Sequence, residues 1–202
     1  MFTGLITHCL PILRSTRAGT GLCIETANPW HAAGPDQVVA GESIAVSGCC
    51  LTAVGPIHSS LVFDLSEETL SRTWFGAAQV GRLLNFERSV RLSDRLGGHL
   101  VSGHVDGTGR IAEITDVGDG GRVFSFRAPD NFGRYLIEKG SVTIDGISLT
   151  VVAPEQGCFK VAVIPTTLAE TSLGRARVGD LVHLEADMIG KWIERLLLRQ
   201  HP

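Results

Sequence analysis

The stretch "GGHLVSGHVDGTG", residues 97–109, holds two imidazoles, His99 and His104, among five glycines. Histidine can ligate a metal or move a proton near neutral pH, and glycine-rich loops can cradle phosphates. Five residues apart, the two rings face opposite sides of a straight strand, and no third ligand is in view, so no metal site is expected. "GTGRIA" (107–112) fits G-x-G-x-x-A, but a dinucleotide fingerprint must follow a strand and open a helix. Here it runs into "RIAEI", with Ile111 and Ile114 in a β-rich setting, and is rejected. The thiols are Cys9, Cys23, Cys49, Cys50 and Cys158. An odd number, two of them adjacent and none in a C-x-x-C pair, argues against a disulfide scaffold and against structural zinc. They fit a reducing cytoplasm.

An internal repeat gives these residues a context. "SIAVSGCCLTAV" (43–54) matches "SVTIDGISLTVV" (141–152) at an offset of 98, the distance from Ser43 to Ser141. The same offset joins "ETLSRTWFGAAQVGRLLNFE" (68–87) to "TTLAETSLGRARVGDLVHLE" (166–185), and "MFTG" matches "LVSG" (100–103) at an offset of 99. The chain therefore reads as two copies of one domain, 1–97 and 98–186, followed by an unrepeated end, 187–202. The scaffold positions recur while reactive ones differ. His104 stands opposite Leu5, Cys50 opposite Ser148, Cys49 opposite Ile147 and Glu68 opposite Thr166. Two similar pockets with different reactive groups could hold two similar ligands in different roles.

The elements that must position these groups are mostly strands. "SVTIDGISLTVV", "RVFSFRA" (122–128) and "LVHLEAD" (181–187) alternate with period two, and "DVGDGGR" (116–122) is a turn. Short strands between glycine turns predict a small antiparallel barrel in each copy. In "DLSEETLSRTWFG" Asp64 is the expected N-cap, with Glu67 three residues on and Gly76 as the stop. "PTTLAETSLG" repeats this with Pro165 in the first turn, and "APDNFGRYLIEKG" predicts a helix from Asp130. In "MIGKWIERLLLRQ", Ile189, Trp192, Ile193, Leu196 and Leu197 share one helical face. An appended apolar helix needs a partner surface, so a subunit contact is expected; the alternative is docking onto its own barrel.

Composition sets the outer bounds. The chain has 202 residues, 44% hydrophobic and 19% charged, with a formal net charge of -3. That balance gives no reason to expect nucleic acid or an acidic membrane surface as partner. No apolar run is long enough to span a bilayer, and the start lacks the features of a signal peptide.

At this point the residues resemble a known family, the two-repeat riboflavin synthases built from lumazine-binding domains. The resembling segments are "MFTGLI", "GESIAVSGCCLTAV", "FDLSEETL", "LGGHLVSGHVDGTG", "KGSVTIDGISLTVV", "VAVIPTTLAETSLG" and "VHLEADMIGKWIERLL", spread over nearly the whole chain in family order. The resemblance implies an all-β protein of two similar Greek-key antiparallel barrels in tandem plus a C-terminal helix, assembled as a homotrimer in the cytoplasm. It implies a small-molecule substrate, 6,7-dimethyl-8-ribityllumazine, two molecules of which exchange a four-carbon unit to give riboflavin and 5-amino-6-(ribitylamino)uracil. No cofactor or metal is implied. The family's site lies between the N-terminal barrel of one subunit and the C-terminal barrel of its neighbour.

Carried over by position, the resemblance implies a C-terminal pocket of Gly103, His104, Val105, Lys139, Ser148, Leu149, Thr150, Val163, Ile164, Pro165, Thr166 and Thr167. It implies an N-terminal pocket of Gly4, Leu5, Ile6, Cys50, Leu51, Thr52, Asp64, Leu65, Ser66, Glu67, Glu68 and Thr69, with Phe2 near the bound ring. His104 is the expected proton-transfer group, with Ser148 and Thr150 assisting and Cys50 as nucleophile or polar contact. Asn85 and Asp187 are further candidates by position. Each residue also has a plainer reading: Cys50 as a small buried hydrophobe, Ser148 and Thr150 as strand residues, His104 on a barrel-end carbonyl, Lys139 in a solvated turn, Asp64 and Glu67 as helix caps. Two departures from the family pattern, Thr166 and His183, are expected to alter ribityl contacts. Two other classes stand beside the enzyme: a non-catalytic lumazine binder of the same fold, and a flavin oxidoreductase barrel. The second would need a nucleotide-binding partner domain, for which the chain has no segment.

Overall fold

The computed structural model describes residues 1–198. Six antiparallel strands come first: β1 (His8–Ala18), β2 (Gly21–Ala27), β3 (Ser43–Val46), β4 (Cys49–Val54), β5 (Ser60–Leu65) and β6 (Leu83–Arg88). They close into a barrel in the order β1-β2-β5-β4-β3-β6. The second copy forms β7 (Gly107–Asp116), β8 (Arg122–Arg127), β9 (Ser141–Ile144), β10 (Ile147–Thr150), β11 (Val152–Glu155), β12 (Cys158–Val163) and β13 (Leu181–Ala186). Its order is β10-β9-β13-β7-β8-β12-β11. Only Val151 separates β10 from β11, so together they take the place of β4, and the connectivity is that of the first barrel. The break coincides with a positive φ of 45° at Ala153 and an irregular register between Val152 and Glu155.

Period-two alternation builds both cores. Cys49, Leu51 and Ala53 point inward and are buried, while Cys50, Thr52 and Val54 line the outer wall. Phe159, Val161 and Val163 do the same in the second barrel. Phe63, Phe75 and Phe86 fill one interior and Phe124, Phe126 and Phe159 the other, so neither barrel leaves room inside for a ligand. The β3–β4 and β9–β10 hairpins turn through two residues each, Ser47-Gly48 and Asp145-Gly146, all four with positive φ, as a tight primed turn requires. The two turns abut: a Cβ on Gly48 would lie 2.6 Å from the Gly146 nitrogen.

The joint between the barrels repeats one pattern twice. Asn85 Oδ1 accepts from the Ser172 N–H (2.8 Å) and its Nδ2 donates to the Asp145 carbonyl (2.9 Å). At the matching position, His183 Nε2 accepts from the Trp74 N–H (3.0 Å) and Nδ1 faces the Ser47 carbonyl at 2.8 Å. The neutral tautomer protonated on Nδ1 satisfies both contacts. Burial drives the His183 pKa down to about 3. Its neighbour Asp145 accepts from Trp74 Nε1 (2.9 Å) and the His183 N–H (2.8 Å), and burial pushes its carboxyl up to about 6. Asn85 and His183 therefore face the joint, where the imidazole makes on one side the pair of backbone hydrogen bonds that the amide makes on the other.

Helix α1 (Glu67–Arg72) starts two residues later than expected. Ser66 is its N-cap, accepting from the Thr69 N–H at 3.2 Å, while Asp64 stays in β5. It stops at extended Thr73, and Gly76 belongs to a following 3-10 turn, Trp74–Ala77. The predicted helix from Asp130 is only a 3-10 turn at Gly133–Tyr135. Helix α2 (Pro165–Glu170) opens on Pro165.

Helix α3 (Met188–Leu198) docks by its polar side: Lys191 meets Asp106 at 2.6 Å, and Glu194 meets Arg134 at 3.0 Å and the Tyr135 hydroxyl at 2.6 Å. Ile189, Trp192, Ile193, Leu196 and Leu197 point away from the barrel, 53–63% exposed. The alternative in which the apolar face covers its own barrel is not what forms. Residues 199–202 of the expected terminal helix lie outside the described residues.

Candidate active site

With both interiors filled, a ring-sized ligand is left the surfaces outside the barrels, where the polar side chains of the expected site project. Cys50 and Thr52 project from β4, and Asp64 from β5 beside the start of α1. Ser148 and Thr150 project from β10, and Ile164 with the first turn of α2, Pro165 to Thr167, follows the end of β12. The two walls differ in charge. Asp64, Glu67 and Glu68 give the first an acidic, exposed lip, whereas Ile164, Pro165 and Thr166 give the second an uncharged one.

Ser148 carries the most organised chemistry. Its Oγ lies 2.7 Å from His99 Nδ1, and His99 Nε2 lies 3.1 Å from Thr143 Oγ1. His99 is buried, which lowers its pKa against the opposing pull of Asp187. A neutral imidazole between two hydroxyls can accept a proton at one nitrogen while the other is held in orientation. His99 was not among the expected site residues. The repeat comparison begins at Leu100, opposite Met1, and so gives His99 no counterpart to differ from. The first wall has no equivalent relay, since Ala45 occupies the place of Thr143. His104 is exposed, and its backbone N–H donates to Ser102 Oγ at 3.2 Å. The imidazole on Ser148 is that of His99.

The lead-in segments cross between barrels. Phe2 and Val101 pair through mutual backbone hydrogen bonds of 2.8 and 3.1 Å. As a result the Gly4 carbonyl accepts from the Ser148 N–H (2.8 Å) and the Gly103 carbonyl from the Cys50 N–H (2.7 Å). Both glycines have φ near 80°, and a Cβ would lie 2.5 Å from that of Ser148 or 2.6 Å from that of Cys50, so no side chain fits. Ile6 packs on the second core and Val105 on the first. The expected grouping is thus corrected: Gly4, Leu5 and Ile6 belong with Ser148, Leu149 and Thr150, and Gly103, His104 and Val105 with Cys50, Leu51 and Thr52. Phe2 is fully buried against Ala45, Val101 and Cys50. Leu51, Leu65 and Val163 point into the cores, and Lys139 stands exposed in a left-handed turn with its Nζ 3.7 Å from Glu138.

Two tandem barrels of this kind are matched by known proteins. The lumazine binding domain model matches residues 3–89 and again 102–187. Riboflavin synthase of Actinobacillus pleuropneumoniae is 41% identical over 200 residues, 99% of this chain and 91% of its own. That of Photobacterium phosphoreum is 41% identical over 204 residues, covering 100% and 91%. The chain belongs to the riboflavin synthase family. In solved structures the fold is similar to LumP complexed with riboflavin (TM-score 0.83, 20% identity, 92% of this chain and 99% of that one). It is also similar to LumP complexed with 6,7-dimethyl-8-(1'-D-ribityl) lumazine (TM-score 0.81, 21% identity, 92% and 99%). At these identities the LumP structures speak for the fold.

Proposed function

We infer that this protein catalyses the dismutation of two 6,7-dimethyl-8-ribityllumazine molecules to riboflavin and 5-amino-6-(ribitylamino)uracil. The observation that carries the reading is the match to riboflavin synthases along essentially the whole chain; the buried His99–Ser148 pair fits the chemistry it requires. The substrate ring is electron-poor, so a carbanion at its 7-methyl group is delocalised into the ring and a weak base suffices to form it. His99, neutral at working pH, relays the proton through Ser148. Cys50 and Thr52 on the other wall, with Asp64, Glu67 and Glu68 as acceptors for ribityl hydroxyls, hold the second lumazine. Holding the two rings face to face makes the encounter effectively intramolecular, worth up to ~7–11 kcal/mol if aligned.

Both walls are open on the side away from their barrel, so a closed site needs a second surface. A neighbouring copy brought in by the apolar face of α3 supplies it, in a homotrimer that works in the cytoplasm. No described helix is long and apolar enough to cross a membrane.

The test is turnover of dimethylribityllumazine by the purified protein with a chelator and no added cofactor. Riboflavin should appear at half the rate of substrate loss. Ligand bound but unchanged would instead identify a non-catalytic binder.

A further inference from the structure

Each lead-in loop is tied down by a buried glutamate of its own barrel. Glu87 Oε1 accepts from both the N–H and the hydroxyl of Thr3 at 2.7 Å, and Oε2 from the Gly4 N–H at 2.9 Å. Glu185 does the same for Ser102 (2.7 and 2.7 Å) and Gly103 (3.0 Å). Both carboxylates are buried, and neither touches the outer walls. What they hold does. The Thr3 carbonyl accepts from the His99 N–H at 3.1 Å and the Gly4 carbonyl from the Ser148 N–H at 2.8 Å, while the Gly103 carbonyl accepts from the Cys50 N–H at 2.7 Å.

We propose that Glu87 and Glu185 are crossed positioning residues, each rooted in one barrel and setting the backbone of the reactive group on the other. Glu87 places the His99–Ser148 pair and Glu185 places Cys50. The physical reason is rigidity. Three charge-assisted hydrogen bonds converge on each carboxylate, so a two-residue loop that would otherwise flex becomes a fixed acceptor for a neighbour's N–H. Glutamine keeps the volume but turns an NH2 group toward one of the three donors, and the loop must shift.

The kinetic half of the proposal rests on the assigned reaction; the structural half does not, and the experiment separates them. Amide hydrogen exchange is measured on the full-length protein and on Glu87→Gln and Glu185→Gln. Glu87→Gln should speed exchange at Ser148 and His99 by about tenfold and leave Cys50 unchanged, and Glu185→Gln should do the reverse, the size expected for losing one charge-assisted bond. Equal effects at both walls, or none, overturn the crossed brace whatever the protein catalyses. Turnover then uses a double-mutant cycle. Glu87→Gln should lower kcat about tenfold in the wild-type and Cys50→Ala backgrounds and less than about twofold in Ser148→Ala. A merely structural role would give the same loss in all three, and that result overturns the positioning role. Wild-type protein that makes no riboflavin sinks the assigned reaction, while the exchange pattern still decides the brace. Should the glutamine variants fail to fold, Thr3→Val and Ser102→Ala remove one of the three donors to each carboxylate, together with the hydroxyl's own bond from the Leu5 or His104 N–H. They must show the same crossed exchange at smaller amplitude, or the proposal falls.

Discussion

Ser148 Oγ sits 2.7 Å from a buried, neutral imidazole, and that geometry makes a definite kinetic claim. His99→Ala should lower kcat by about 10²–10³, the usual worth of a positioned acid–base group, with little change in KM. His104→Ala, at an exposed ring, should cost less than His99→Ala. Steady-state kinetics on the two variants checks this; a larger loss at His104 would return the proton transfer to the residue the sequence favours. Burial lowers the His99 pKa, so the acid limb of the kcat profile should lie below 6.5: activity is held above that limb and falls as the ring protonates. Much of the candidate site is marked in the sequence by divergence between the halves. Cys50 against Ser148 and Glu68 against Thr166 stand out as differences at matched positions. His99 does not, because its significance is a contact with residues 44 and 49 positions away, Thr143 and Ser148, and only the folded hairpin brings them together.

At the scale of elements, strands are well announced and helix starts are not. Alternation in "SVTIDGISLTVV" translates directly into buried Val142 and Ile144, since a half-step slip would put every apolar group in water. By contrast, Asp64 and Ser66 are both good caps, and choosing between them depends on where β5 stops pairing with β2. That register runs to Leu65, so the cap falls to Ser66. The joint offers a sharper test, because Asn85 and His183 perform one task with different chemistry. His183 is held near a pKa of about 3, below its unfolded value near 6.5. The unfolded chain therefore binds a proton that the native state refuses, and this residue's contribution is lost as pH falls through that window. His183→Asn imitates Asn85 and keeps both hydrogen bonds while giving up the stack on Trp74 (4.6 Å between centroids). It should cost about 1 kcal/mol at pH 7. Relative to wild type, it should then recover about 1.5 kcal/mol between pH 6.5 and 5. Urea melts at the two pH values decide it; parallel changes in both proteins would mean the ring is protonated in the fold.

For the whole molecule, the open walls and the outward apolar face of α3 belong together. Sequence periodicity finds the amphipathic helix but cannot say which face meets the barrel, because that depends on Asp106, Arg134 and Tyr135 being placed to receive Lys191 and Glu194. The crossing of the lead-in segments is equally silent in the sequence: a repeat looks the same whether each copy serves its own wall or its twin's. The crossing is made within one chain, whereas the outward apolar face of α3 underlies the proposal that a second chain finishes the site. Trp192→Ser combined with Ile193→Asp alters only side chains already exposed in the single chain, so the barrels should fold and melt as wild type. Losing a tryptophan anchor and placing a carboxylate in an apolar contact should each cost more than about 2 kcal/mol of association. Under the proposed assembly, sedimentation equilibrium should then report single chains at micromolar concentration for the variant and an oligomer for the wild type. Turnover should fall by at least about a hundredfold, because the two rings lose the facing surface that aligns them. A variant that is monomeric and fully active would show that one chain completes the site, and a variant that remains oligomeric would place the contact elsewhere.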